Sequence, residues 1–150
     1  MKLPRVVALL VSCVVATGVH AAELRLHALL DGASVVSATD SKATGEARAI
    51  LQDDNKLRIN LVFGGLASNV TGAELHTGAR SENGPTVAPL DVRENQTVGS
   101  LVDTELILTD DVAASMRAGN AYILVTTVDH PSGAIRGQLV PQPVRLPDTP

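Results

Sequence analysis

Lys56-Leu57-Arg58-Ile59-Asn60-Leu61-Val62-Phe63 is the stretch that decides the fold, because Leu57, Ile59, Leu61 and Phe63 alternate with Lys56, Arg58, Asn60 and Val62. Successive side chains of extended backbone leave opposite faces, so a period of two marks a half-buried strand with one face in the core and the other mostly wet. Gln52-Asp53-Asp54-Asn55 stands just before it, which makes Thr44 to Leu51 the first arm of a hairpin and Lys56 to Phe63 the second.

The period continues on both sides. Upstream, Leu24, Leu26, Ala28 and Leu30 oppose Arg25 and His27 until Asp31-Gly32 ends the strand. Downstream, Gly64-Gly65 interrupts, and Val70 to Thr77 resumes with Ala73 and Leu75 directed inward and Glu74 and His76 outward. Gly78 to Pro85 is loop by composition, and Thr86 to Leu90 and Gly99 to Leu108 are further extended segments. Thr109-Asp110-Asp111 predicts a helix over Asp110 to Ala118: Thr109 caps it, the two aspartates suit its positive end, and Arg117 with Gly119 suits the other. Asn120 to Val128 and Ala134 to Val140 form the last hairpin. Short strands with turns at this spacing predict an all-β sandwich or barrel carrying one short helix at one end.

Met1 to Ala21 is expected to be an export signal, with Lys2 and Arg5 ahead of an apolar run and Val19-His20-Ala21 as the cleavage site. The run is too short for a membrane-spanning helix, which needs roughly 20 apolar residues. Leu10-Val11-Ser12-Cys13 offers lipidation at Cys13 as the minor alternative. Residues 22–140 are then one domain, and residues 141–150 a proline-rich tail, periplasmic or secreted. Cys13 is the chain's one cysteine, so the mature domain has neither disulfides nor thiolate metal ligands.

Phe63 and Tyr122 are the only aromatic residues, and loss of Lys2 and Arg5 with the signal takes the formal charge from −4 to −6. A nucleic-acid partner is excluded on both counts, since single strands bind through aromatic platforms and basic grooves.

Two blocks carry a family resemblance. The first is Gly65-Leu66, Val70-Thr71, Ala73, Leu75-His76, Gly78, Glu82-Asn83-Gly84-Pro85 and Val87. The second is Leu108-Thr109-Asp110, Ala118-Gly119, Tyr122, Val125, Thr127, Gly133 and Ile135-Arg136-Gly137-Gln138-Leu139. In this order they resemble the CHRD domain, the module first recognised in chordin and common in bacterial exported proteins. The resemblance implies an immunoglobulin-like antiparallel β-sandwich or barrel and no established enzymatic activity. Family members often show His-x-His where this chain has Glu74-Leu75-His76, and Val-His-Thr where it has Val125-Thr126-Thr127.

Glu74 and His76, two apart on a strand, leave the same face with Cα atoms roughly 6.5 to 7 Å apart. They could share a copper or zinc ion, or form hydrogen bonds at the surface. No third ligand is apparent in the sequence, so no tightly held metal or other cofactor is expected. No nucleophile motif is present, and Asp53-Asp54 and Asp110-Asp111 sit where a turn and a helix start call for acids. Arg80, Glu82 and Asn83 give the long loop polar handles for binding, and Arg136 either closes the barrel by bonding loop carbonyls or contacts a ligand. The expected function is a non-enzymatic exported binding module for an unknown protein or envelope ligand. The alternatives are a periplasmic redox or stress protein that binds copper or zinc and a structural cell-envelope component, and no oligomeric state is legible in the sequence.

Overall fold

The computed structural model describes residues 23–143; the expected export signal with Cys13, and tail residues 144–150, lie outside the described residues. The elements are β1 (Leu24–Asp31), β2 (Thr44–Leu51), β3 (Lys56–Gly64), β4 (Val70–Thr77), β5 (Thr86–Leu90), β6 (Gly99–Ile107), α1 (Asp110–Arg117), β7 (Ala121–Thr127) and β8 (Ile135–Pro141). The eight strands form one sheet in the order β5-β4-β7-β8-β1-β2-β3-β6, every neighbouring pair antiparallel. The sheet curls into a nearly closed barrel, left short of closure because among the described residues no ladder joins β5 to β6. The chain leaves β3 for β4 and β6 for β7 by crossovers, as in Greek-key barrels.

The interior is made by the alternation. Leu57, Ile59, Leu61 and Phe63 of β3 pack against Ala47, Ala49 and Leu51 of β2 and Leu26, Ala28 and Leu30 of β1 in a single apolar cluster. Burying each large aliphatic side chain contributes about 1.5–3 kcal/mol, and small alanines on β2 let the sheet curve tightly around them. The barrel end is stoppered by α1, whose Ala113 and Met116 are fully buried and which packs on β4 and β8. Thr109 Oγ1 accepts from the Val112 N–H at 3.5 Å, and Asn55, in the left-handed region at φ 62° in the β2–β3 turn, donates to Asp110 at 2.6 Å. Arg117 donates to the Gln52 carbonyl at 3.2 Å, so helix and turn are clipped together.

The open edge is guarded. On β6 only Leu101 is buried, Asp103 adopts φ 49° and breaks the ladder, and Glu105 pairs with Arg58 at 3.0 Å. A kinked, charged edge resists pairing with another chain. Pro141, expected in the tail, is instead the last residue of β8, opposite Leu26. At a strand's final position its missing N–H costs no ladder bond, and the next residue, Gln142, donates to the Arg25 carbonyl at 2.8 Å.

Candidate functional site

Register places Thr86, His76, Tyr122 and Gln138 in one row across β5, β4, β7 and β8, and Pro89, Glu74, Leu124 and Arg136 in the next. All of these leave the outer face of the sheet, since Leu75, Ile123 and Ile135 occupy the interior. An outward histidine on a half-wet strand is expected at the surface, but His76 is only 7% exposed. The reason is a second layer: residues 78–85 fold back over this face and cover it.

Four side chains of the sheet tie that layer down, and main-chain bonds close its two ends. Arg136 Nη2 donates to the Ala79 carbonyl at 2.8 Å, and Gln138 Nε2 donates to the carbonyls of Gly78 and Gly119, both at 2.9 Å. His76 Nδ1 lies 3.0 Å from the Gly84 carbonyl oxygen, and the Gly84 N–H donates to the Tyr122 hydroxyl at 3.1 Å. The Thr77 and Gly78 N–H groups donate to Pro85 and Asn120 carbonyls. The long loop is therefore a fixed wall.

Beneath it the phenol of Tyr122 stands between two partners. The His76 ring stacks on it at 4.9 Å and 8°, and the Arg136 Cζ lies 3.7 Å from the ring centroid. Arg136, 2% exposed, has no carboxylate among its hydrogen-bond partners; Gln138 Oε1 accepts at 3.3 Å, and Nη1 has no partner among the described residues. Burial pushes its guanidinium down from the ordinary value, with Arg80 adding to the effect and Tyr122 opposing it. It stays charged, and the phenol face supplies part of the solvation that water would have given.

Of the binding residues read from the sequence, Arg80, Glu82 and Asn83 are exposed on the outside of this wall, whereas Arg136 lies underneath, out of reach of a ligand arriving from solvent. Asn83 also lines a cleft of about 240 Å³ between Ser37 and Thr39 on one side and His130 and Ser132 on the other. Glu74 meets His76 Nε2 at 3.0 Å, while His27 faces Glu46 at 3.1 Å and His130 faces Asp40 at 3.5 Å, so the described histidines are dispersed. Among the described residues no three His, Cys, Asp or Glu gather in a metal-ligand cluster. The carboxylate pairs serve the fold: Asp54 accepts from the Lys56 N–H at 3.1 Å and Asp110 from Asn55.

Tyr122, Gln138 and Gly84 stand in the family blocks, but the sequence reading gave them no site role. Ala121-Tyr122-Ile123-Leu124-Val125 is apolar throughout, so alternation could not assign Tyr122 a face. Its rarity, as one of two aromatic residues in the chain, and its place in the second family block were the available signals.

The sequence profile of the CHRD domain matches residues 26–139, from Leu26 in β1 to Leu139 in β8. No curated protein and no solved structure matches the chain. The profile spans most of the chain and every element described above, and the protein belongs to the CHRD domain family.

Proposed function

We propose that this chain is a non-enzymatic, exported binding module that meets its partner through the outer side of the 78–85 wall. One observation carries the reading: a loop long enough to be mobile is held by carbonyl ties at Gly78, Ala79 and Gly84 while Arg80, Glu82 and Asn83 face solvent. A preformed surface avoids the ordering cost that flexible loops meet on binding, and rigid scaffolds bearing fixed loops are a common design for recognition. The structural duties of the carboxylate pairs support a role without catalysis. The partner is a protein or envelope ligand, and the reading needs no cofactor.

A photo-crosslinking residue tests this in living cells. Placed at Glu82 or Asn83, it is expected to give a discrete adduct in the envelope fraction, while Ile107 on the opposite edge strand gives none. Adducts at Ile107 with none at the loop would transfer the interaction to β6 and overturn the reading. Export is tested separately: the mature chain is expected to begin at Ala22 or Glu23 without an acyl group, and an intact-mass measurement showing lipid on Cys13 would replace free export by membrane anchoring.

A further inference from the structure

A neutral imidazole has one N–H and one lone pair, so it needs one acceptor and one donor around it. His76 has two acceptors. The Gly84 carbonyl oxygen lies 3.0 Å from Nδ1, and Oε2 of Glu74 lies 3.0 Å from Nε2. Donation from Nδ1 to the carbonyl leaves the Nε2 lone pair facing a carboxylate oxygen, which is repulsive. Thr86 Oγ1, 3.4 Å from the same Oε2, donates to the carboxylate and brings no hydrogen to the imidazole. Something positive belongs between Nε2 and Oε2: a proton, or a metal ion that takes the proton's place.

Three features suit a metal. A histidine whose Nδ1–H is held by a main-chain carbonyl has its tautomer and ring orientation fixed, with Nε2 presented as a ligand. The His76 ring is locked further by its stack on Tyr122, whereas the Glu74 side chain is 41% exposed, which leaves the carboxylate side open to ions from solvent. The separation also accommodates an ion. Bonds of about 2.0–2.1 Å to both atoms across 3.0 Å meet at roughly 90°, while a tetrahedral ion would hold its ligands roughly 3.3 Å apart. A right-angled N,O pair matches adjacent corners of a tetragonal ion, the geometry of Cu(II), which also heads the affinity order for such ligands.

We propose that His76 Nε2 and Glu74 Oε2 form a labile Cu(II) site on the outer face of β4, with water in the remaining positions and the Thr86 hydroxyl beside it. The ion displaces the Nε2 proton, which leaves to solvent. Two protein ligands make an exchangeable site, so the ion is expected to be lost from the chain during purification. The site is independent of the partner bound on the outer wall.

The other histidines make the control. His27 and His130 also face single carboxylates, but among the described residues neither ring is fixed through Nδ1. Cu(II) titrated into the tag-free mature chain is expected to bind saturably at one equivalent. It should quench the emission of Tyr122, the sole tyrosine in a chain without tryptophan, and broaden the amide signals of Glu74, His76 and Thr86 first. Glu74→Gln, whose amide can donate to Nε2 and so keeps the fold, weakens binding by about tenfold or more. His76→Asn abolishes it, and His27→Asn and His130→Asn leave it unchanged. The proposal is overturned if Glu74→Gln titrates like the parent, if broadening starts at His27, His130 or the N-terminus, or if no saturable binding occurs. A His76→Asn chain that fails to fold leaves the decision to Glu74→Gln.

Discussion

Tyr122→Ala destabilises the domain by about 3–5 kcal/mol, the range for deleting a large buried aromatic side chain from a packed site. The ring is 1% exposed and fills the space between His76 and Arg136, so its removal leaves a cavity that neither flanking strand can close. It also strips the Arg136 guanidinium of the π face it lies on, which moves the cost toward the upper end. Small domains hold about 5–15 kcal/mol in total, so the loss is a large share of the fold and lowers the melting temperature by roughly 10–20 °C. Tyr122→Phe separates the two contributions: it keeps the ring and the cation contact and loses only the hydroxyl's bonds to Gly84, for about 1–2 kcal/mol. Denaturant unfolding of the two variants checks this. Equal losses would mean that the hydroxyl, rather than the stack, holds the site together.

Arg136 beside it is a different kind of contributor. Moving a guanidinium out of water costs several kcal/mol. Against that stand a desolvated cation–π contact of about 2 kcal/mol and charge-assisted bonds to the Ala79 carbonyl and Gln138 Oε1 of about 1.5–3 kcal/mol each. These sums nearly cancel, so the residue's gain is positional. A planar fork reaching from β8 to the main chain of the loop fixes where Arg80 and its neighbours stand, a task no apolar side chain of similar volume performs.

The barrel was legible in the sequence wherever one face of a strand was wet. Lys56 to Phe63 declared both its structure and its inner face, and Thr109-Asp110-Asp111 declared the start of α1. Pairing order was not legible, because nothing local in β3 says that its second neighbour is β6 rather than β4. The candidate site was legible in part: Arg136 bonds a loop carbonyl as its sequence reading allowed, but the covering of His76 was not legible, for a more specific reason. Alternation reports which side of the sheet a residue leaves, and it correctly sends Glu74, His76 and Arg136 outward; it does not report whether another layer lies there. On β7 even the side is hidden, since Tyr122 and Leu124 are as apolar as the interior residues Ala121, Ile123 and Val125 that alternate with them. The covering layer is made by main-chain carbonyls of Gly78, Ala79 and Gly84, groups that every residue possesses and no composition advertises.

That layer depends on a missing side chain, which gives the second large effect: Gly84→Ala increases the rate at which trypsin cuts after Arg80 by roughly 30- to 150-fold. A Cβ on residue 84 would fall onto the Thr77 carbonyl oxygen and crowd the Gly78 Cα at 3.3 Å. Both obstacles are main chain, so no rotamer change relieves them, and Pro85 already confines the preceding residue to extended conformations. The loop must lift. Doing so gives up the Gly84 N–H bond to Tyr122, the Gly84 carbonyl bond to His76 and the Thr77 bond to the Pro85 carbonyl. At about 1 kcal/mol net for each, the free energy of local opening falls by about 2–3 kcal/mol, which sets the expected rate increase when opening is fast and cleavage slow. The barrel interior contains none of these groups, so circular dichroism of the variant stays that of the parent. Asn83→Ala, which alters only an exposed side chain at the next position, is expected to cleave at the parent rate. A Gly84→Ala rate within threefold of the parent would mean that the wall stands without these ties, and that Arg136 and Gln138 alone hold it against the sheet.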